Sequence, residues 1–128
     1  MNIYTDGSCI PNPGKGGWAF IAKNEDEDIF SYDGKAQTTN NEMELTAVIK
    51  ALKYFKTETK FKFFTDSQYV INCATGKWRR KLNIALWEKY DKYAKGKTIE
   101  FVWVKGHNGN EYNEKVDRLA NRGREELN

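Results

Sequence analysis

Asn41-Glu42-Met43-Glu44-Leu45-Thr46-Ala47-Val48-Ile49-Lys50-Ala51-Leu52-Lys53-Tyr54-Phe55 is the stretch at which the character of the chain changes. Met43, Ala47, Val48, Ala51, Leu52 and Phe55 recur at helical spacing, so residues 41–55 are expected to form an amphipathic helix. Everything before that stretch reads as strand and turn. Asn2 to Cys9 is short and extended in character and ends at the turn cluster Pro11-Asn12-Pro13-Gly14. Gly16-Gly17 opens a second apolar run, Trp18 to Ala22, and Glu25, Asp26, Glu27 and Asp28 make a solvated turn before a third run, Ile29 to Tyr32. Three such strands joined by tight, Gly- and Asp-rich connections predict an antiparallel meander.

Beyond the helix, strand and helix alternate. Phe61 to Thr65 reads as a buried strand, followed by a short helix from Ser67. Leu82 to Ala94 is a further helical stretch, with Leu82, Leu86, Tyr90 and Tyr93 on one side. Ile99 to Val104 is the last strand, and after a glycine-rich loop a final helix runs from Tyr112 to Glu126, with Val116, Leu119, Ala120 and Gly123 inward. The order βββαβααβα predicts an α/β fold: a five-stranded mixed sheet, three antiparallel strands then two parallel, flanked by helices. With no repeat, linker or low-complexity stretch, residues 1–128 read as a single domain.

Composition narrows the function classes. A 39% hydrophobic and 14% aromatic content supports a folded globule rather than a disordered tail. The net charge of +3 tolerates a polyanionic partner without demanding one. Cys9 and Cys73 are too few for a disulfide framework and read as reduced thiols. No apolar run approaches a membrane span and no secretory leader follows Met1, so a cytoplasmic protein is expected.

Carboxylates in four separate elements are the candidate chemistry, and each also has an ordinary structural explanation. Asp6 ends the first strand in Thr5-Asp6-Gly7-Ser8, where Asp-Gly could be a hairpin turn. Glu44 stands three residues after Asn41, a capping-box spacing. Asp66 follows the buried strand, where Asp or Ser would cap the next helix, but where α/β sheets also place ligands. Asp117 lies beside the apolar stripe of the last helix, usually a solvated position. The single histidine, His107 in Lys105-Gly106-His107-Asn108-Gly109, has glycine neighbours that would let a proton shuttle move. Together these residues offer acidic oxygens and no Cys/His cluster, which favours Mg²⁺ or Mn²⁺ over Zn²⁺. Phosphodiester hydrolysis often uses two such ions about 4 Å apart.

The chain resembles ribonuclease H of type 1 along essentially its whole length. The matching segments are Thr5-Asp6-Gly7-Ser8-Cys9 with Asn12-Pro13-Gly14, and Thr39-Asn40-Asn41-Glu42-Met43-Glu44-Leu45. They continue with Thr65-Asp66-Ser67-Gln68-Tyr69-Val70, Trp103-Val104-Lys105-Gly106-His107 and Asn113-Glu114-Lys115-Val116-Asp117-Arg118-Leu119-Ala120. Found in the family's order at compatible spacing, they are highly specific as a set. The resemblance implies an endonuclease that hydrolyses the RNA strand of an RNA–DNA hybrid with two metal ions, leaving 5′-phosphate and 3′-hydroxyl ends. It implies that Asp6, Glu44, Asp66 and Asp117 bind two Mg²⁺ ions, with Mn²⁺ a possible substitute, and that His107 assists proton movement and product release. Asn12, Asn40 and Gln68 match positions that contact the hybrid's minor groove, where amides can read 2′-hydroxyls. Thr39 and Asn83 correspond to a pocket for a DNA-strand phosphate. Trp78 resembles an aromatic that packs along the DNA strand, with ordinary core packing as the alternative.

Two departures from the family bear on affinity. Many relatives carry a long basic protrusion where this chain has only Gly76-Lys77-Trp78-Arg79-Arg80-Lys81, and no separate hybrid-binding domain is expected ahead of Met1. The short cationic stretch is expected to serve as the phosphate-binding surface, and the protein to act as a monomer. A non-catalytic hybrid-binding module should lose acidic ligands, and a DNA resolvase or integrase-like nuclease should lose the hydroxyl-reading amides. Both sets are present.

Overall fold

The computed structural model describes residues 1–105 and 110–127. The elements in chain order are β1 (Asn2–Cys9), β2 (Gly14–Ala22), β3 (Ile29–Thr38), α1 (Asn40–Tyr54), β4 (Lys60–Thr65), α2 (Gln68–Ala74), α3 (Ile84–Ala94), β5 (Thr98–Trp103) and α4 (Glu111–Glu125). They form one five-stranded sheet in the order β3-β2-β1-β4-β5. The β1–β2 and β2–β3 pairs are antiparallel, and the β1–β4 and β4–β5 pairs are parallel. This is the expected element order and mixed sheet.

Alternation along the strands sends side chains to two separate cores. On one face Ile3, Trp18, Phe20 and Phe63 meet Leu45, Val48 and Leu52 of α1, with Trp87 and Tyr90 of α3 closing the layer. On the other, Tyr4, Ala19 and Ile21 meet Val116 and Ala120 of α4. The interior strand β2 is therefore covered on both sides, which explains its unbroken apolar run Trp18 to Ala22. None of the described helices is long and apolar enough to cross a membrane.

Several boundaries differ from expectation for identifiable reasons. β2 begins at Gly14 rather than Trp18, because the glycines that read as a turn lie within the ladder, where neighbouring elements leave no room for side chains. A Cβ on Gly17 would stand 2.1 Å from the carbonyl oxygen of Ala120 in α4. β3 continues to Thr38 although its second half is polar, since it is an edge strand pairing on one side only. α3 starts at Ile84 rather than Leu82; Asn83 adopts a left-handed φ of 58°, and Leu82 is exposed.

The start of α1 shifts by a smaller step with a larger consequence. Its N-cap is Thr39, whose hydroxyl accepts from the Glu42 amide at 3.1 Å. The Asn41–Glu44 capping box is thus not formed. Glu42 pairs with Lys35 instead, and Glu44 is released for other contacts.

Candidate active site

The site is organised by one glycine. Gly7 follows Asp6 in β1, and a Cβ there would lie 2.5 Å from the Glu44 amide nitrogen. Its absence lets the first turns of α1 rest directly on the strand. The Gly7 amide donates to Asp6 Oδ1 at 2.9 Å and to Glu44 Oε1 at 2.6 Å. One backbone N–H so tethers two carboxylates that are 38 positions apart in sequence (44 − 6). Asp6 is therefore not a hairpin-turn residue: it pairs with Ala19 inside the β1–β2 ladder.

Asp66 arrives from the carboxyl end of β4. The cap of α2 is Ser67, whose Oγ accepts from the Val70 amide at 3.1 Å, so Asp66 is not the helix cap. One oxygen each from Asp6, Glu44 and Asp66 lies within 4.8 Å of the others. Asp117, on α4, is not one of that trio but lines a small cleft together with Asp6, Asp66, Thr5, Val104, Asn113 and Val116. It is half-buried rather than on a solvated face.

Crowding of acids in a buried place has an electrostatic signature. Burial pushes the Asp6 carboxyl up to about 8, with the adjacent Glu44 carboxyl opposing the shift and the charges of Asp66 and Asp117 adding to it. Glu44, 4% exposed, is held well above the ordinary carboxylate range by burial first and then by the charge of Asp6. Its Oε2 is buried and meets no hydrogen-bond partner among the described residues. That oxygen must share a proton with Asp6 or face a cation. A divalent ion taking only oxygen ligands fits this donor set, because the described residues around it include no thiolate or imidazole.

The amides expected to read a minor groove are partly assembled. Asn12 Oδ1 accepts from the Asn40 backbone amide at 3.1 Å, joining the β1–β2 turn to the start of α1 beside the cap residue Thr39. Gln68 opens α2, two residues after Asp66, and is exposed. Asn83 Nδ2 donates to the Tyr69 hydroxyl at 3.0 Å. Trp78 is 49% exposed, which removes core packing as its explanation; it lines a groove with Lys77, Arg79 and Lys81. Arg80 departs from the expected cationic surface. It pairs with Asp91 at 2.7 Å, donates to the Cys73 carbonyl at 3.1 Å and stacks over Trp87. His107 lies outside the described residues.

Residue-by-residue reading passed over Gly7, whose signal was its place directly after Asp6. It also passed over Asn121, one helical turn beyond Asp117 and donating to it at 3.4 Å.

Comparison with known proteins places this geometry. The sequence model of the family described as RNase H matches residues 1–125. A ribonuclease H of Gluconobacter oxydans is 42% identical, over 99% of this chain and 93% of that protein. A ribonuclease HI of Campylobacter jejuni is also 42% identical, over 94% and 88%. Among solved structures, LC11-RNase H1 in complex with an RNA/DNA hybrid superposes with a TM-score of 0.80 at 26% identity, covering 97% of this chain and 96% of that one. RNase H1 of Halobacterium salinarum has the same fold, with a TM-score of 0.80 at 24% identity over 98% of both chains.

Proposed function

The chain belongs to the RNase H family of nucleases, and from that premise we propose that it cuts the RNA strand of RNA–DNA hybrids with two divalent cations, leaving 5′-phosphate and 3′-hydroxyl ends. Mg²⁺ is the natural cation in this reading, and Mn²⁺ can substitute. The observation that carries it is the cluster of Asp6, Glu44 and Asp66, with Asp117 of α4 lining a cleft with Asp6 and Asp66. The hybrid bound to LC11-RNase H1, a relative of the same fold, supports the choice of substrate.

Asp6, Glu44, Asp66 and Asp117 would hold the ions. When bound, such ions activate a water and stabilise the leaving oxygen. The protein's part is preorganisation. Gly7 fixes Asp6 and Glu44 relative to each other, and burial favours holding a proton on the pair. Asn12, Asn40 and Gln68 would tell RNA from DNA at the 2′-hydroxyls, since an amide side chain both donates and accepts. His107 would assist proton movement after cleavage. Its replacement by alanine should slow turnover by about 10²-fold at most, below what loss of a metal ligand does. The buried, unpaired thiols of Cys9 and Cys73 support a cytoplasmic location.

The test is incubation with Mg²⁺ and matched RNA–DNA, RNA–RNA and DNA–DNA duplexes. Cleavage confined to the RNA of the hybrid, and lost in Asp6→Asn, is the expected result. Equal cleavage of all three duplexes, or none by the wild type, would overturn the reading.

A further inference from the structure

Asp117 is bound into a polar chain that the cleft itself does not explain. Ser8 lies two residues beyond Asp6 in β1, so the strand's alternation puts both on the face toward α4. Ser8 is 7% exposed, and its hydroxyl donates to Asn121 Oδ1 at 2.6 Å. Arg124 donates from Nε to Ser8 Oγ at 3.2 Å and from a terminal nitrogen to Asn121 Oδ1 at 3.4 Å. With two donors converging on Oδ1, the Asn121 amide has a single workable orientation. Reversing it would set its NH₂ against the Arg124 donor and its carbonyl against a carboxylate. The amide nitrogen is left to face Asp117 Oδ2, at 3.4 Å.

We propose that Asn121, locked by Ser8 and Arg124, is a positioning residue that aims the Asp117 carboxylate into the cleft and thereby sets cation affinity there. The inference rests on the reading of Asp117 as a cation ligand. Asp6 and Glu44 need no such help, being buried and tied by the Gly7 amide. Asp117 stands at the half-buried rim, where its side chain must be ordered when a cation binds. A donor at 3.4 Å is long for an N–H···O bond, so it steers the carboxylate while leaving its charge to a cation. Ser8 and Arg124 act only through the amide: neither has a hydrogen bond to Asp117 among the described residues.

The test compares wild type with Asn121→Ala, Ser8→Ala, Ser8→Thr and the Ser8→Ala/Asn121→Ala double variant, each as the full chain. Mg²⁺ affinity without nucleic acid is read by calorimetry, beside the Mg²⁺ dependence of hybrid cleavage and the KM for hybrid. Asn121→Ala should weaken Mg²⁺ binding about tenfold, the scale of losing a group that orients a metal ligand. The Mg²⁺ concentration for half-maximal cleavage should rise by the same factor, with KM unchanged. Ser8→Ala should move in the same direction by less, and Ser8→Thr, which keeps the hydroxyl, should recover wild-type affinity. The double variant should match Asn121→Ala alone. Wild-type Mg²⁺ affinity in a folded Asn121→Ala, or additive losses in the double variant, would overturn the inference while leaving the proposed function standing. A wild type that neither binds Mg²⁺ nor cleaves hybrid would remove the underlying reading and this inference with it. Should Asn121→Ala fail to fold, the Ser8→Ala and Ser8→Thr pair decides the question.

Discussion

At the scale of single residues, Asp6 and Glu44 place a measurable strain on the protein without metal. The folded state keeps a proton on Asp6 up to about 8, whereas an exposed aspartate releases it near about 3.9. Between those values the folded chain binds more protons than the unfolded one, so stability falls as pH rises. The slope should approach about −1.4 kcal/mol per pH unit for each proton retained. Asp6→Asn removes one titrating group, so in EDTA its urea midpoint should vary less with pH than the wild type's and lie higher at pH 8. It should also cleave nothing in Mg²⁺. Identical pH slopes for the two proteins would show that the buried acids are not the cause. Mg²⁺ should raise the wild-type melting temperature more than the mutant's, because a cation binds the folded site alone. The sequence pointed to both carboxylates and, through the resemblance, to their joint role, but not to the shared Gly7 amide that ties them, because that contact depends on the atom Gly7 lacks. Gly7→Ala puts a Cβ 2.5 Å from the Glu44 backbone, and about 1–3 kcal/mol of stability should be lost as α1 is displaced. Urea unfolding measures the loss, and an undiminished cleavage rate would show that Glu44 tolerates the shift.

At the scale of elements, α4 is set against the sheet backbone to backbone. Gly17 faces the Ala120 carbonyl, Gly34 faces the Gly123 carbonyl, and a Cβ on Gly123 would stand 2.4 Å from the Asp33 carbonyl. This close seat decides how deep Asp117, six residues before Gly123, reaches toward Asp6. Gly123→Ala should therefore lower stability by at least about 1–3 kcal/mol and reduce cleavage together, as read by urea unfolding and by rate at saturating Mg²⁺. Full activity in a destabilised Gly123→Ala would separate the seat of the helix from the site. The same glycines explain where the sequence was hard to read. Helix α1 and strand β4 were legible because their apolar residues keep the period of one buried face. The start of β2 was not, because glycine there reports the nearness of another backbone, which resembles a turn until the partner is known. The polar half of β3 was illegible for the opposite reason: an edge strand has little to bury.

At the scale of the whole molecule, the cationic stretch divides into two roles. Arg80 is half-buried between Asp91 and the Trp87 ring, whereas Lys77, Arg79 and Lys81 line the groove beside exposed Trp78. Arg80→Ala should lower the melting temperature. Lys77→Ala/Arg79→Ala should leave stability within about 0.5 kcal/mol and flatten the salt dependence of hybrid affinity by up to about two units of slope. Hybrid binding over a salt series in an Asp6→Asn background checks this, and parallel slopes would make the groove irrelevant to the substrate. Charge density alone had put the four cations together; only the tertiary position of α3 sets one apart. The seat of α4 has a last consequence, in the order of synthesis. β1 carries Asp6 and is synthesised before α4, which carries Asp117 and must dock across β1, β2 and β3. A nascent chain can gather three acids before α4 has emerged but not the fourth, so on the proposed reading hybrid cleavage waits for that helix. A product terminated at residue 109 should accordingly be silent toward hybrids, and addition of the missing helix as a separate peptide is the experiment that would show whether docking alone switches it on.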